Sequence, residues 1–310
     1  MWMLLLAARL ALPARAQGDD AVHALIQQAR LIQPAAGAAA AVWELLPDEA
    51  LPRRPYHTDH AALFGRYAVG YNREILRAVD EIQAKFPDGG GYFTGVHANP
   101  PESPIGYAVA LFGRALLKPP RPTSFCTGAT YTAFIEALNL IFAGSPPGLT
   151  PERFEALRMQ EPDGSRREDH VKFWGHWNAD NAGPEYALVQ YAKMGVVVPP
   201  EQARAGDFMS VLWKNGGSHS TVFLGWHKAA KGAGEVLFWA SNTPKTTDGV
   251  GDRVVPLSEI AGVKFVRLTK PDALTTFAVD APVDPNVGWD RVSWPFAESA
   301  HGGRRRSRRR

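Results

Sequence analysis

Cysteine occurs once in these 310 residues, at Cys126 in "RPTSFCTGATYTAFIEAL". A thiol used once makes no internal disulfide, which leaves reactivity or packing as the reason for its presence. The apolar spacing predicts a helix from near Ser124 through Leu140, with Thr123 and Ser124 as N-cap residues. Cys126 then falls in the first turn, where unpaired N–H groups and the helix dipole favour a thiolate. Gly128 and Ala129 keep the adjoining surface small and leave room for a substrate.

A thiolate needs a base to keep it ionised and a proton donor for the leaving group, and histidine does both. Of nine histidines, His219 in "GDFMSVLWKNGGSHSTVFLGW" is best placed, because it begins a strand after a glycine-rich turn. The next strand, "GEVLFWASN", ends at Asn242, whose amide would accept the other ring N–H and fix the tautomer. Ser241 is the weaker candidate for that third role. The catalytic set is therefore Cys126, His219 and Asn242, and spacing alone implies acyl transfer.

The other titratable residues are read structurally. His57 and His60 in "HTDH" have ligand-like spacing without the further convergent ligands that zinc requires, so neither a metal nor any other cofactor is expected. His170 and His176 fall on a charged helix as surface or boundary residues. His227 follows Trp226 at a strand end, where an exchange of roles with His219 is the minor alternative. No carboxylate pair suggests glycoside cleavage.

These groups need a scaffold. "DDAVHALIQQARLI" (19–32) and "YNREILRAVDEIQAKF" (71–86) have helical periodicity, the latter burying Ile75, Val79 and Ile82 on one face. A Gly/Pro-rich loop spans 87–104. Three more helices are predicted: "TPERFEALRM" capped by Thr150 with Pro151 at its first position, "REDHVKFWGHW", and "PEYALVQYAKMG" closed by Gly195. After residue 205 come "DFMSVLWK", "HSTVFLGW", "EVLFWAS" and "VKFVRL", an antiparallel meander. Helices first and strands after indicate an α+β domain.

With these elements placed, the chain resembles the papain-like bacterial cysteine hydrolases of the NlpC and CHAP types. The resemblance rests on "SFCTGATYTAFIEAL", "AGDFMSVLW", "HSTVFLGW" and "LFWASN", over roughly residues 105–270. It implies a papain-like core with helices packed on an antiparallel sheet of about five strands. Cys126 would be the nucleophile, His219 the base and Asn242 its orienting partner. It also implies cleavage of an amide, most naturally in cell-wall peptidoglycan peptides; a catalytically silent binding or scaffold module of the same fold is the alternative.

The chain departs from that family in two ways. The Cys-to-His separation exceeds what compact members need, so residues 150–195 form a helical insertion. Its "FWGHWNADNAG" offers Trp177, Asn178 and Asp180 as a substrate wall, or alternatively an aromatic helix packed on the sheet. Where many CHAP-type chains carry glutamate two residues before the asparagine, this one has Ala240.

The resulting organisation is a candidate signal peptide (1–16), an N-terminal helical extension and linker (17–104), the hydrolase domain (105–270), an irregular segment (271–303) and an Arg-rich tail (304–310). The formal charge of +3 includes six arginines in the last nine residues, so the body itself is net acidic. Such a tail stays solvated or touches an anionic polymer, and the body has no second basic patch for specific nucleic-acid readout. The opening "MWMLLLAARLALPARA" ends in an Ala-Arg-Ala site that indicates export, although no positive charge precedes the apolar run. Read instead as an amphipathic helix, it leaves the protein in the cytoplasm. It is too short and interrupted to span a bilayer.

Overall fold

The computed structural model describes residues 43–95, 98, 104–119, 121–159, 173–174, 183–284 and 288–296. The chain forms two compact units, 1–40 and 41–310, and every described residue lies in the second. The candidate signal peptide, the helix expected at 19–32, most of "REDHVKFWGHW" and the arginine tail fall outside the described residues.

The helices are α1 (His60–Phe64), α2 (Asn72–Lys85), α3 (Cys126–Ile141) and α4 (Pro151–Ala156), joined by a π-helical segment at Glu185–Tyr191. The strands are β1 (Leu45–Leu46), β2 (Val109–Leu111), β3 (Arg114–Leu117), β4 (Gly195–Val198), β5 (Phe208–Trp213), β6 (Ser218–Lys228), β7 (Gly234–Asn242), β8 (Gly249–Pro256) and β9 (Ile260–Leu268). The fold is α+β, with a mostly antiparallel sheet of seven strands in the order β4-β9-β5-β6-β7-β8. The seventh, β1, pairs parallel with Trp226 and His227 of β6. Strands β2 and β3 form a separate hairpin.

Alternation along the strands divides the apolar side chains between two cores. Val222, Leu224, Leu237 and Trp239 face α2 and α3, where Ile75, Val79, Ile82, Phe134 and Leu138 are buried. Phe223, Phe238, Ala240, Met209 and Val211 face the other way, under a cover that includes Trp43, Val292 and Trp294. Each fully buried aromatic or branched side chain contributes roughly 1.5–3 kcal/mol against leaving it in water. The helix α2, assigned to an extension, shares the first core with α3, so residue 104 is not a boundary in packing.

Several sequence expectations change. The sheet has seven strands rather than about five: β4 and β8 were not anticipated, and "VKFVRL" (in β9) returns beside β5 instead of continuing the meander. Gly195 opens β4 rather than closing a helix. The helix α3 starts at Cys126 with Phe125 at its N-cap, and no side chain caps it. Ser124, expected as a cap, instead gives its hydroxyl hydrogen to Ser241 Oγ at 2.7 Å. Thr150 does cap α4, accepting the Arg153 N–H at 3.3 Å with Pro151 at the first position.

Gly128 has a different purpose from the one the sequence suggested. A Cβ there would stand 2.0 Å from the Pro104 carbonyl oxygen, because residues 104–105 run against the start of α3. That segment is fixed by the Phe125 N–H donating to the Pro104 carbonyl at 3.1 Å. The small side chain therefore seats the protein's own backbone, not a substrate. Gly128→Ala is expected to cost about 3 kcal/mol by overpacking, measured as a lower urea midpoint; an unchanged midpoint would show that Pro104 yields freely.

Candidate active site

Strands β6 and β7 pair from Lys228↔Gly234 to Val222↔Trp239, and there the ladder stops. Both strands continue, β6 back to Ser218 on β5 and β7 on to Asn242 on β8. The sheet is thus open at one point between its central strands, and the first turn of α3 meets it there. Ser124 holds Ser241 on one lip. On the other, Ser220 Oγ lies 2.8 Å from Thr130 Oγ1, one turn into the helix. The Trp174 indole N–H donates to that same threonine oxygen at 3.1 Å.

Cys126 sits in this opening, 6% exposed. Burial pushes its thiol above the ordinary value, and the N–H groups of Ser220, Thr127 and Cys126 itself, which point at the sulfur, oppose that rise. The helix-start effect read from the sequence is therefore present but outweighed: desolvation disfavours the thiolate more than the donors favour it. The resting group is a thiol.

His219 immediately precedes the residue whose N–H reaches the sulfur. Its Nε2 lies 3.1 Å from Asn242 Oδ1. The asparagine is fully committed, its Nδ2 donating to the Ala240 carbonyl at 2.8 Å and the Gly251 carbonyl at 3.0 Å. Its oxygen therefore faces the imidazole, Nε2 carries the proton, and Nδ1 keeps a free lone pair. Burial pushes His219 down to about 4; the Asn242 hydrogen bond works against this, and the charge of Arg253 adds to it. The ring packs beside Trp213 and Phe238, with centroids 6.1 and 5.6 Å away.

The structure thus joins His219 to Asn242 and sets Cys126 against the peptide between His219 and Ser220. Among the described residues no hydrogen bond links the sulfur to the imidazole. Ser241, the weaker third candidate, faces α3 with Ser124, while Asn242 turns to the other face beside His219. Trp177, Asn178 and Asp180 lie outside the described residues, as do His170 and His176. Sequence reading missed Ser220 and Arg253. The position of Ser220 directly after the histidine was the available signal; nothing local marked Arg253.

The other histidines among the described residues are held by carboxylates. His227 lies between Asp48 and Glu235, each 2.8 Å away. His57 and His60 stack with centroids 4.2 Å apart and an interplanar angle of 18°. Their Nε2 atoms meet the two oxygens of Asp252 at 2.8 and 3.0 Å. His60 Nδ1 lies 2.7 Å from Asp80 Oδ1.

These three residues bring ligand atoms close enough to raise the question of a metal. The geometry does not fit one. Nearly parallel rings cannot direct both in-plane lone pairs at a single ion. His57 Nδ1 also accepts the Asp59 N–H at 3.2 Å, which leaves the proton on the Nε2 that would have to ligate. The cluster is a hydrogen-bonded charge network tying α1, α2 and β8 together. Among the described residues no helix is long and apolar enough to cross a membrane. Comparison with protein-family models, curated proteins and solved structures finds no match to this chain.

Proposed function

We propose that the chain is a thiol hydrolase with a papain-like core, in which Cys126 attacks an amide carbonyl and His219 moves the proton. One observation carries this reading. Where β6 and β7 part, the Ser220 N–H is near enough to the sulfur to favour its thiolate, and the preceding residue is a histidine whose Nε2–H is bound to Asn242 at 3.1 Å. An imidazole held in one tautomer, one residue from the peptide that faces a thiol, supports proton transfer to and from sulfur.

The proposed step begins from two neutral groups. The Cys126 proton passes to His219 Nδ1 as the sulfur bonds to the carbonyl carbon, and the carbonyl π pair moves to oxygen. Collapse of that adduct expels the amine, which takes the proton from Nδ1. Water then attacks the thioester with Nδ1 as base, releasing the acid and restoring the thiol. N–H groups at the start of α3 are the donors nearest the developing oxyanion.

Peptidoglycan peptides enter as substrate through the family resemblance alone, and export through the leader-like N-terminus. Digestion of purified peptidoglycan by the full chain, with mass analysis of released fragments, tests the substrate. Release by wild type and none by Cys126→Ala is expected; equal release by both, or none by wild type, would overturn it. The alternative of a silent binding module draws on the buried, neutral thiol, and predicts peptidoglycan retention without release by either protein.

A further inference from the structure

Arg253 on β8 is half-buried, yet among the described residues its guanidinium meets no hydrogen-bond acceptor and forms no ion pair. Its guanidinium lies 5.9 Å from the centres of both Trp213 and Phe238. Those two rings, 6.5 Å apart, are the ones that flank His219. A cation is thus held on an aromatic shelf beside the proposed base. Burial works against its charge, and only the more distant Glu259 helps to support it.

Such a placement is costly for a resting protein. A partly desolvated guanidinium lacks its usual bidentate carboxylate partner. Its charge also opposes protonation of His219, the very event the proposed chemistry requires. The charged groups around the shelf do not relieve this. Glu259 is exposed and forms no ion pair with Arg253; its backbone carbonyl accepts the Lys214 backbone N–H at 3.0 Å. An anion brought by a ligand would complete the arginine and remove the opposition to the histidine together.

Building on the thiol-hydrolase reading, we infer that Arg253 binds a free carboxylate of the substrate across the Trp213–Phe238 shelf from His219. The substrate class is then an amide or peptide with an anionic carboxylate close to the scissile bond. Docking that carboxylate makes His219 a stronger base, so proton acceptance by the site strengthens when the matching substrate is present. Arg253 acts as a recognition residue that also positions charge, and takes no part in bond making.

Succinate is a sufficient probe. In isotope-labelled full-length protein, the His219 ring and the Trp213 indole N–H are followed by NMR between pH 8 and 4, with sodium succinate or with sodium chloride of equal ionic strength. In wild type, succinate is expected to shift the Trp213 signal saturably and to raise the His219 midpoint by roughly one unit. In Arg253→Gln the midpoint is expected to be raised already and to ignore succinate, while Arg253→Lys keeps a weaker response and guards against a folding artefact. Indifference of wild type to succinate, or an Arg253→Gln response equal to wild type, would overturn the inference. Failure of the hydrolase reading is separable: it shows in Cys126 alkylation that ignores loss of His219, whatever succinate does.

Discussion

Replacing Asp252 by alanine is expected to cost about 3–5 kcal/mol of folding stability, the range for removing one partner of a buried ion pair. The carboxylate is 4% exposed, and His60, on which it acts, is completely buried. Burial opposes a charge on His60, but Asp252 and then Asp80 outweigh it and raise the imidazole to about 9. Without Asp252 the ring keeps one acceptor and loses the balance that made its charge tolerable. Chemical denaturation at pH 6 measures the loss; a change within 0.5 kcal/mol, as at an ordinary surface site, would contradict the network.

The same pairing sets a pH dependence. The folded-state value of His60 lies above its ordinary 6.5, so its contribution is complete below 6.5 and is lost as pH climbs towards 9. That alkaline loss amounts to on the order of 3 kcal/mol. Asp252 moves oppositely: burial would raise it, but His60 and His57 hold it below its ordinary 3.8, so its contribution fades as pH falls below that value. Wild type should therefore be most stable between about 4 and 6.5 on this account, and Asp252→Ala should lack most of the alkaline decline.

On the proposed thiol-hydrolase reading, the second large effect falls on turnover. Loss of His219 to alanine should lower kcat on a cleavable amide by roughly a thousandfold, the middle of the range for a general acid–base group. Asn242→Ala should be milder, because the ring remains but no longer has its proton fixed on Nε2. Asn242 is 1% exposed and its amide holds the Ala240 and Gly251 carbonyls, so stability must be followed beside activity. A thousandfold loss in Asn242→Ala with unchanged folding would instead make the asparagine an equal partner in the chemistry.

The elements that carry the candidate site were more legible in the sequence than the rest of the sheet. The Cys126 helix, the His219 strand and the Asn242 strand could be read because apolar runs of Val, Phe, Leu and Trp bound them closely. Strand β8, "GVGDRVVP", was not, since two glycines and two charges break its apolar pattern. The structure supplies the reason: a Cβ at Gly249 would stand 1.9 Å from the Gly89 carbonyl, so close backbone approach, not side-chain pattern, shapes this edge. Because β8 went unseen, so did Asp252 and Arg253.

The His57–Asp252 contact joins residues 195 apart in sequence, beyond any local pattern. "HTDH" could be noticed, but its stacking and tautomer could not. The ionisation of Cys126 failed differently. Cys126 does fall in the first helical turn and backbone N–H groups there favour its thiolate, yet desolvation, a property of the assembled core, decides the direction.

Cys126 carboxamidomethylation by iodoacetamide across pH 5–10, in wild type and His219→Ala, tests most directly whether sulfur and imidazole act together. Proton acceptance by His219 predicts that wild type reacts at least about tenfold faster than the variant at pH 6–7, with the two rates converging once the thiol ionises unaided. Superimposable profiles, both following a buried and unassisted thiol, would contradict it.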